Sequence, residues 1–150
     1  MFELTVLKQN VVLMSAVTAW LCAQFLKTAF NCIKYRQFNA ERLIGAGGMP
    51  SSHTALVVGL SASIGLTEGI NSSMFAISLV LAGIVMYDAA GVRRAAGKHA
   101  KVINKLVRHT NAELTVRDIK LKELLGHHPV EVLAGAVVGI AVAYAFNVYW

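Results

Sequence analysis

Charge is scarce in this sequence. Charged residues fill 15% of its 150 positions, against about 25% in a soluble domain. A water-facing surface cannot be built from so little polarity without leaving much apolar area bare, so a soluble globular domain is excluded. Cysteine is scarcer still, with only Cys22 and Cys32. On one helix these two would stand about 15 Å apart along the axis, too far for a disulfide. A disulfide-stapled scaffold is therefore excluded, and free thiols are expected. Repeats and low-complexity tracts are absent, and a hydrophobic content of 56% excludes disorder. Acidic residues number 8 against 14 Lys and Arg, leaving a net charge of +6. What remains is an apolar yet basic chain of one-domain length, with residues 1–150 expected to form a single membrane-embedded domain.

Four stretches approach the roughly 20 apolar residues that a bilayer crossing needs. They are residues 11–26, which need help from a flank; 54–70, short and rich in Gly and Ser; 73–92, with Asp88 near the end; and 130–150. The last holds Glu131 at its start and closes on Tyr149 and Trp150, suited to an interfacial aromatic belt. The expected fold is all-α, an integral membrane bundle of about four transmembrane helices. The first stretch is expected to remain as a span, because Glu3 interrupts the region a signal peptide keeps basic and no cleavage site follows.

The basic residues are sorted to one side. Lys27, Lys34, Arg36 and Arg42 lie between the first two spans. Arg93, Arg94, Lys98, Lys101, Lys105, Arg108, Arg117, Lys120 and Lys122 lie between the last two, so 13 of the 14 Lys and Arg share one face. The positive-inside rule puts that face in the cytoplasm, the expected membrane being the cell's inner (plasma) membrane. Most of this charge sets topology and attracts anionic lipid; nucleic acid is not an expected partner. Residues 98–108 alternate charges with Val102, Ile103, Leu106 and Val107, as in an amphipathic interfacial helix. Residues 120–125 allow a second short one.

Three polar clusters fall at membrane boundaries on this basic face. The first is Gly47-Gly48-Met49-Pro50-Ser51-Ser52-His53, the second runs from Asp88 to Arg93-Arg94, and the third is Gly126-His127-His128-Pro129-Val130-Glu131. Each alone has a structural explanation. The serines can cap a helix, Asp88 can pair with Arg93 or Arg94 at a helix end, and Pro129 suits a first helical turn. Together they suggest chemistry. Glycines before a helix N-terminus expose backbone N–H groups to an anion, and guanidinium forks match phosphate oxygens. His127 and Glu131, four apart, would share a face of one helix, the carboxylate holding one imidazole proton and freeing the other nitrogen. His53 is available as a general acid.

Gly-Gly-Met-Pro-Ser-Ser-His-Thr-Ala (47–55), Tyr-Asp-Ala-Ala-Gly-Val-Arg-Arg (87–94) and Leu-Leu-Gly-His-His-Pro-Val-Glu-Val-Leu-Ala-Gly (124–135) resemble the divergent branch of the type 2 phosphatidic acid phosphatase superfamily, which groups membrane lipid phosphatases with vanadium haloperoxidases. The resemblance covers nearly the whole chain in order and spacing. It implies three motifs: Lys-x6-Arg-Pro, Pro-Ser-Gly-His and Ser-Arg-x5-His-x3-Asp. The second matches Pro50-Ser51-Ser52-His53, making His53 the general acid, with Ser51 and Ser52 near phosphate. The last half of the third matches His127 and Glu131, making His127 the nucleophile that becomes phosphohistidine and Glu131 its orienting partner. The third-motif arginine falls on Leu121, so Arg93 or Arg94 is expected to supply it. The first motif is approximated by Lys27-x6-Lys34-Tyr35, with Arg36 a further candidate. Superfamily members usually have six helices, where four spans are expected here.

The function expected is metal-independent hydrolysis of a lipid phosphomonoester or pyrophosphate through phosphohistidine, with no cofactor and with the lipid tail between helices. The alternative is a non-catalytic membrane protein that binds anionic lipid or phosphate at the same face. A metalloenzyme using His53, His127, His128, Glu131 and Asp88 is a weaker third, since no recognised ligand spacing is present. Gly135-x3-Gly139 and Gly59-x3-Ser63 allow close helix approach, and a homodimer is expected.

Overall fold

A computed structural model describes residues 9–35, 48–109, 121 and 126–150. The described residues are helical, as expected: α1 (Val11–Tyr35), α2 (Ser52–Thr67), α3 (Ser73–Tyr87), a π turn (Asp88–Val92), α4 (Arg93–His109) and α5 (Pro129–Tyr149). Helices α1, α2 and α3 each start after a residue whose side chain satisfies a free amide. Asn10 accepts from Leu13 N–H, Ser51 from Thr54 N–H and Ser72 from Phe75 N–H.

Val11–Ile33, Ser73–Val107 and Pro129–Tyr149 are long and apolar enough to cross a membrane. The 16-residue α2 is shorter, about 24 Å at 1.5 Å per residue against a hydrocarbon core of about 30 Å. It is the central element, packed by α1, α3 and α5. The protein is thus an integral membrane helical bundle.

Small residues hold it together. Ala16, Ala19 and Ala23 of α1, Ala55, Gly59 and Ser63 of α2, and Gly135, Gly139 and Ala143 of α5 are buried at helical spacing. Lipid tails are as apolar as leucine, so helices associate here through close backbone packing rather than through burial of large side chains. A methyl group at Gly135 would come within 2.4 Å of the Ser51 carbonyl oxygen, and one at Gly139 within 2.7 Å of the Ala55 carbonyl oxygen. The close helix approach that the Gly135-x3-Gly139 and Gly59-x3-Ser63 spacings allow is thus made inside one chain. Leu133, Val137 and Ile140 of α5 and Leu79, Val80 and Ile84 of α3 point outward instead. Two polar clasps cross the bundle: Ser78 Oγ to Ser61 Oγ at 3.2 Å, and Asn147 Nδ2 to Ser63 Oγ at 3.0 Å.

The structure alters three expectations. The first helix runs to Tyr35, so Lys27 and Lys34 are helical and not in a loop. The amphipathic helix begins at Arg93, five residues before the expected 98, and continues the third span directly through the π turn. His127 is not helical, because Pro129 forces the preceding His128 into extended backbone (φ −69°, ψ 146°) and α5 starts only after it. Arg36, Arg42, Arg117, residues 120 and 122–125, and the side chains of Lys34 and Arg108 lie outside the described residues.

Candidate functional site

Helices α2 and α5 begin at the end of the bundle where α1 closes and α3 passes into its π turn, which gathers the three polar clusters. Ser51 N–H donates to the Glu131 carbonyl at 2.9 Å, tying the first cluster to the third. His127 N–H donates to the Ala89 carbonyl at 2.9 Å, tying the third to the second. A methyl at Gly48 would stand 3.5 Å from Lys27 Cε and 3.6 Å from Asn31 Nδ2, so the glycine loop lies over the last turns of α1.

The His127–Glu131 pair forms, by a different device from the expected helical stacking. His127 Nδ1 lies 2.9 Å from Glu131 Oε2, and the same oxygen accepts His128 N–H at 3.1 Å. One carboxylate therefore caps α5 and orients the imidazole, as a third helical residue can when it reaches back. In a neutral imidazole a carboxylate on Nδ1 favours the tautomer with the proton there and leaves the Nε2 lone pair free. His127 is 4% exposed, held at its backbone by Ala89 and at its ring by Glu131.

Lys27, at 3% exposure, is buried in α1 with its ammonium in electrostatic reach of Glu131. A cation this deep in a membrane helix needs an anionic counterpart, and such residues mark functional sites. His53 keeps part of its surface exposed in the first turn of α2. Partial burial pushes its imidazole below the ordinary value of 6.5; Arg93, His127 whenever it carries a second proton, and Lys27 push the same way, while Asp88 opposes them. Six of the expected site residues, Lys27, His53, Asp88, Arg93, His127 and Glu131, thus share one electrostatic neighbourhood.

The others divide. Ser51 is fully buried, its Oγ accepting from Thr54 N–H and from Thr54 Oγ1 at 3.0 Å, so its side chain serves as the cap. Ser52 is buried beside it. Arg93 Nε donates to Asp88 Oδ2, the helix-end pair that the sequence allowed. The Arg94 backbone lies directly beneath Gly126. Leu121, where the third-motif arginine would stand, exchanges two backbone hydrogen bonds with the Asn104 side chain, at 2.8 and 3.1 Å. Among the described residues no group of three or more His, Cys, Asp or Glu could hold a metal ion.

Sequence reasoning missed Asn31, Ala89 and the need for Gly126. Asn31 was detectable as the residue one turn beyond Lys27 on the same face. Ala89 acts through its carbonyl, which no side-chain pattern announces.

A depressed His53 fixes the sign of a pH effect. An acid that must be protonated to act is competent only below its pKa, so with His53 in the general-acid role that the resemblance implies, kcat/KM for phosphate release would fall as pH rises through a value below 6.5. The His53→Ala variant should lose that limb of the profile. A rate still rising between pH 6.5 and 8 would remove His53 as the acid.

A family model described as "Divergent PAP2 family" matches residues 8–142. The "Uncharacterized membrane protein YuiD" of Bacillus subtilis (strain 168) is 43% identical over 142 residues, an alignment covering 87% of this chain and 90% of that protein. No solved structure matches.

Proposed function

This chain belongs to the divergent PAP2 family, and from that premise we propose that it is a membrane lipid phosphate phosphatase. The observation that carries the proposal is the buried His127 bound through Nδ1 to Glu131, at the same end of the bundle as His53 and Lys27. His127 Nε2 attacks phosphorus while the P–O bond to the lipid breaks, and His53 gives its proton to the departing oxygen. Glu131 stabilises the positive charge that develops on the ring. Water then attacks the phosphohistidine, His53 takes its proton, and inorganic phosphate leaves with His127 regenerated. Lys27, Arg93 and Arg94, with Ser52 and the amides of the glycine loop, stabilise the phosphoryl oxygens, a role that Lys34 and Arg36 can share.

The substrate is an amphiphile, a phosphomonoester or pyrophosphate whose tail lies against the bundle. The positive-inside rule puts the active end on the cytoplasmic face of the inner (plasma) membrane. On α4, Arg94, Lys98, Lys101 and Lys105 follow helical spacing along one face, with Val102 and Leu106 exposed on its flank and Ile103 exposed opposite. That pattern supports α4 resting on an anionic membrane surface.

The test is phosphate release by purified protein from a panel of lipid phosphates, with and without chelator. Turnover that survives chelation is the expected result. Leu121 at the position of the third-motif arginine favours a second reading, a protein that binds anionic lipid at this face without turning it over. Binding of the same lipids with no release from any of them would establish it.

A further inference from the structure

The π turn makes contacts that an uninterrupted α-helix could not make together. Its closing hydrogen bond runs from Arg93 N–H to the Asp88 carbonyl, five residues back. The Asp88 carboxylate accepts from Arg93 Nε across the same separation. On an α-helix, residues five apart point about 140° away from each other, and only those three or four apart meet. The ion pair and the widened turn therefore support one another. The Ala89 carbonyl, inside this turn, accepts His127 N–H at 2.9 Å. Gly126, at φ +85°, lets the His127 loop lie flat on the Arg93–Arg94 backbone. The nucleophile's main chain is thus seated on the π turn, and the Asp88–Arg93 pair holds that turn in register.

We propose that Asp88 is a positioning residue for His127, acting through Arg93 and the π turn, and that an incoming phosphate competes with Asp88 for the Arg93 guanidinium. The proposal rests on the phosphatase reading and adds a control to its site. Both Asp88 and Arg93 are part-exposed, and an ion pair in such a position is weakly held. A phosphate oxygen offers the same fork another anion. Binding draws on the contact that seats the nucleophile, so phosphate affinity and turnover are set against each other. An Asp88 that only stabilised the fold would produce no such opposition.

Two variants of the full-length protein test this, Asp88→Asn and Arg93→Gln, in one detergent or nanodisc. The readouts are calorimetric affinity for inorganic phosphate, kcat and hydrogen exchange at the His127 amide. Both variants should lower kcat about tenfold and speed exchange at His127 about tenfold, the effect of loosening one hydrogen-bonded contact. They should differ in phosphate affinity. Asp88→Asn releases Arg93 and should bind phosphate about threefold or more tighter, whereas Arg93→Gln removes the guanidinium and should bind more weakly. Unchanged exchange at His127 in both variants would overturn the proposal, as would phosphate affinities that move in the same direction. If Asp88→Asn does not fold, exchange in Arg93→Gln decides the seating alone. A wild-type protein without turnover would end the phosphatase reading, yet exchange and phosphate binding would still decide this one.

Discussion

Replacing His127 with alanine is expected to abolish phosphate release, by about 10⁴-fold or more, as loss of a nucleophile does when no neighbour can replace it. The loss should fall on chemistry and not on folding. The His127 N–H bond to Ala89 belongs to the main chain and survives the substitution. Glu131 still accepts His128 N–H, so α5 keeps its cap. His128 cannot substitute for its neighbour, because its backbone is the cap of α5 and Val132 stands where its orienting carboxylate would have to be. Phosphate release by His127→Ala, set beside its helical content by circular dichroism, checks this. Release at the wild-type rate would remove His127 as nucleophile.

The second large effect is expected at a residue with no side chain. Gly126 sits at φ +85°, a conformation L side chains rarely adopt, and a methyl group there would come within 2.3 Å of Arg94 N, 2.6 Å of Arg94 Cα and 2.7 Å of the Arg93 carbonyl carbon. The obstruction is helical backbone, which cannot turn aside as a flexible side chain would. The loop must lift, and the His127–Ala89 bond lengthens with it. A displacement of about 1 Å at a reacting group costs on the order of 10²-fold in rate. Gly126→Ala is therefore expected to lower kcat about a hundredfold while the helical content holds, since the clash lies outside the α2–α5 seam. Wild-type kcat in this variant would show that the π turn does not set the nucleophile's position.

The apolar patterning made the helices legible in the sequence. The stretch 73–92 coincides with α3 plus the π turn, and the stretch 130–150 begins within one residue of α5. The clustering of three distant motifs was legible too, because alternate helix ends in a bundle fall on one face. The means by which they meet was not. His127 and Glu131 have the spacing of a helical pair, but Pro129 removes that option and a capping carboxylate makes the contact instead. The π turn is a matter of register along a continuous helix, and hydrophobic periodicity does not report it. Lys27 was misplaced because a single lysine looks like a helix end, whereas α1 runs eight residues further, to Tyr35, and buries it. The glycine stripes were recognised as packing seams, but sequence spacing cannot say which helix the seam meets. The fold puts α2 against α5 there.

The proposed reaction passes a phosphoryl group through His127. The direct measurement is a rapid acid-free quench of the protein with a lipid carrying labelled phosphate, followed by peptide mapping. The result predicted is an acid-labile, alkali-stable phosphoryl group on His127, lost in His127→Ala and longer-lived in His53→Ala, where the water that releases it lacks its base. Turnover of the lipid without label on His127 would contradict the account.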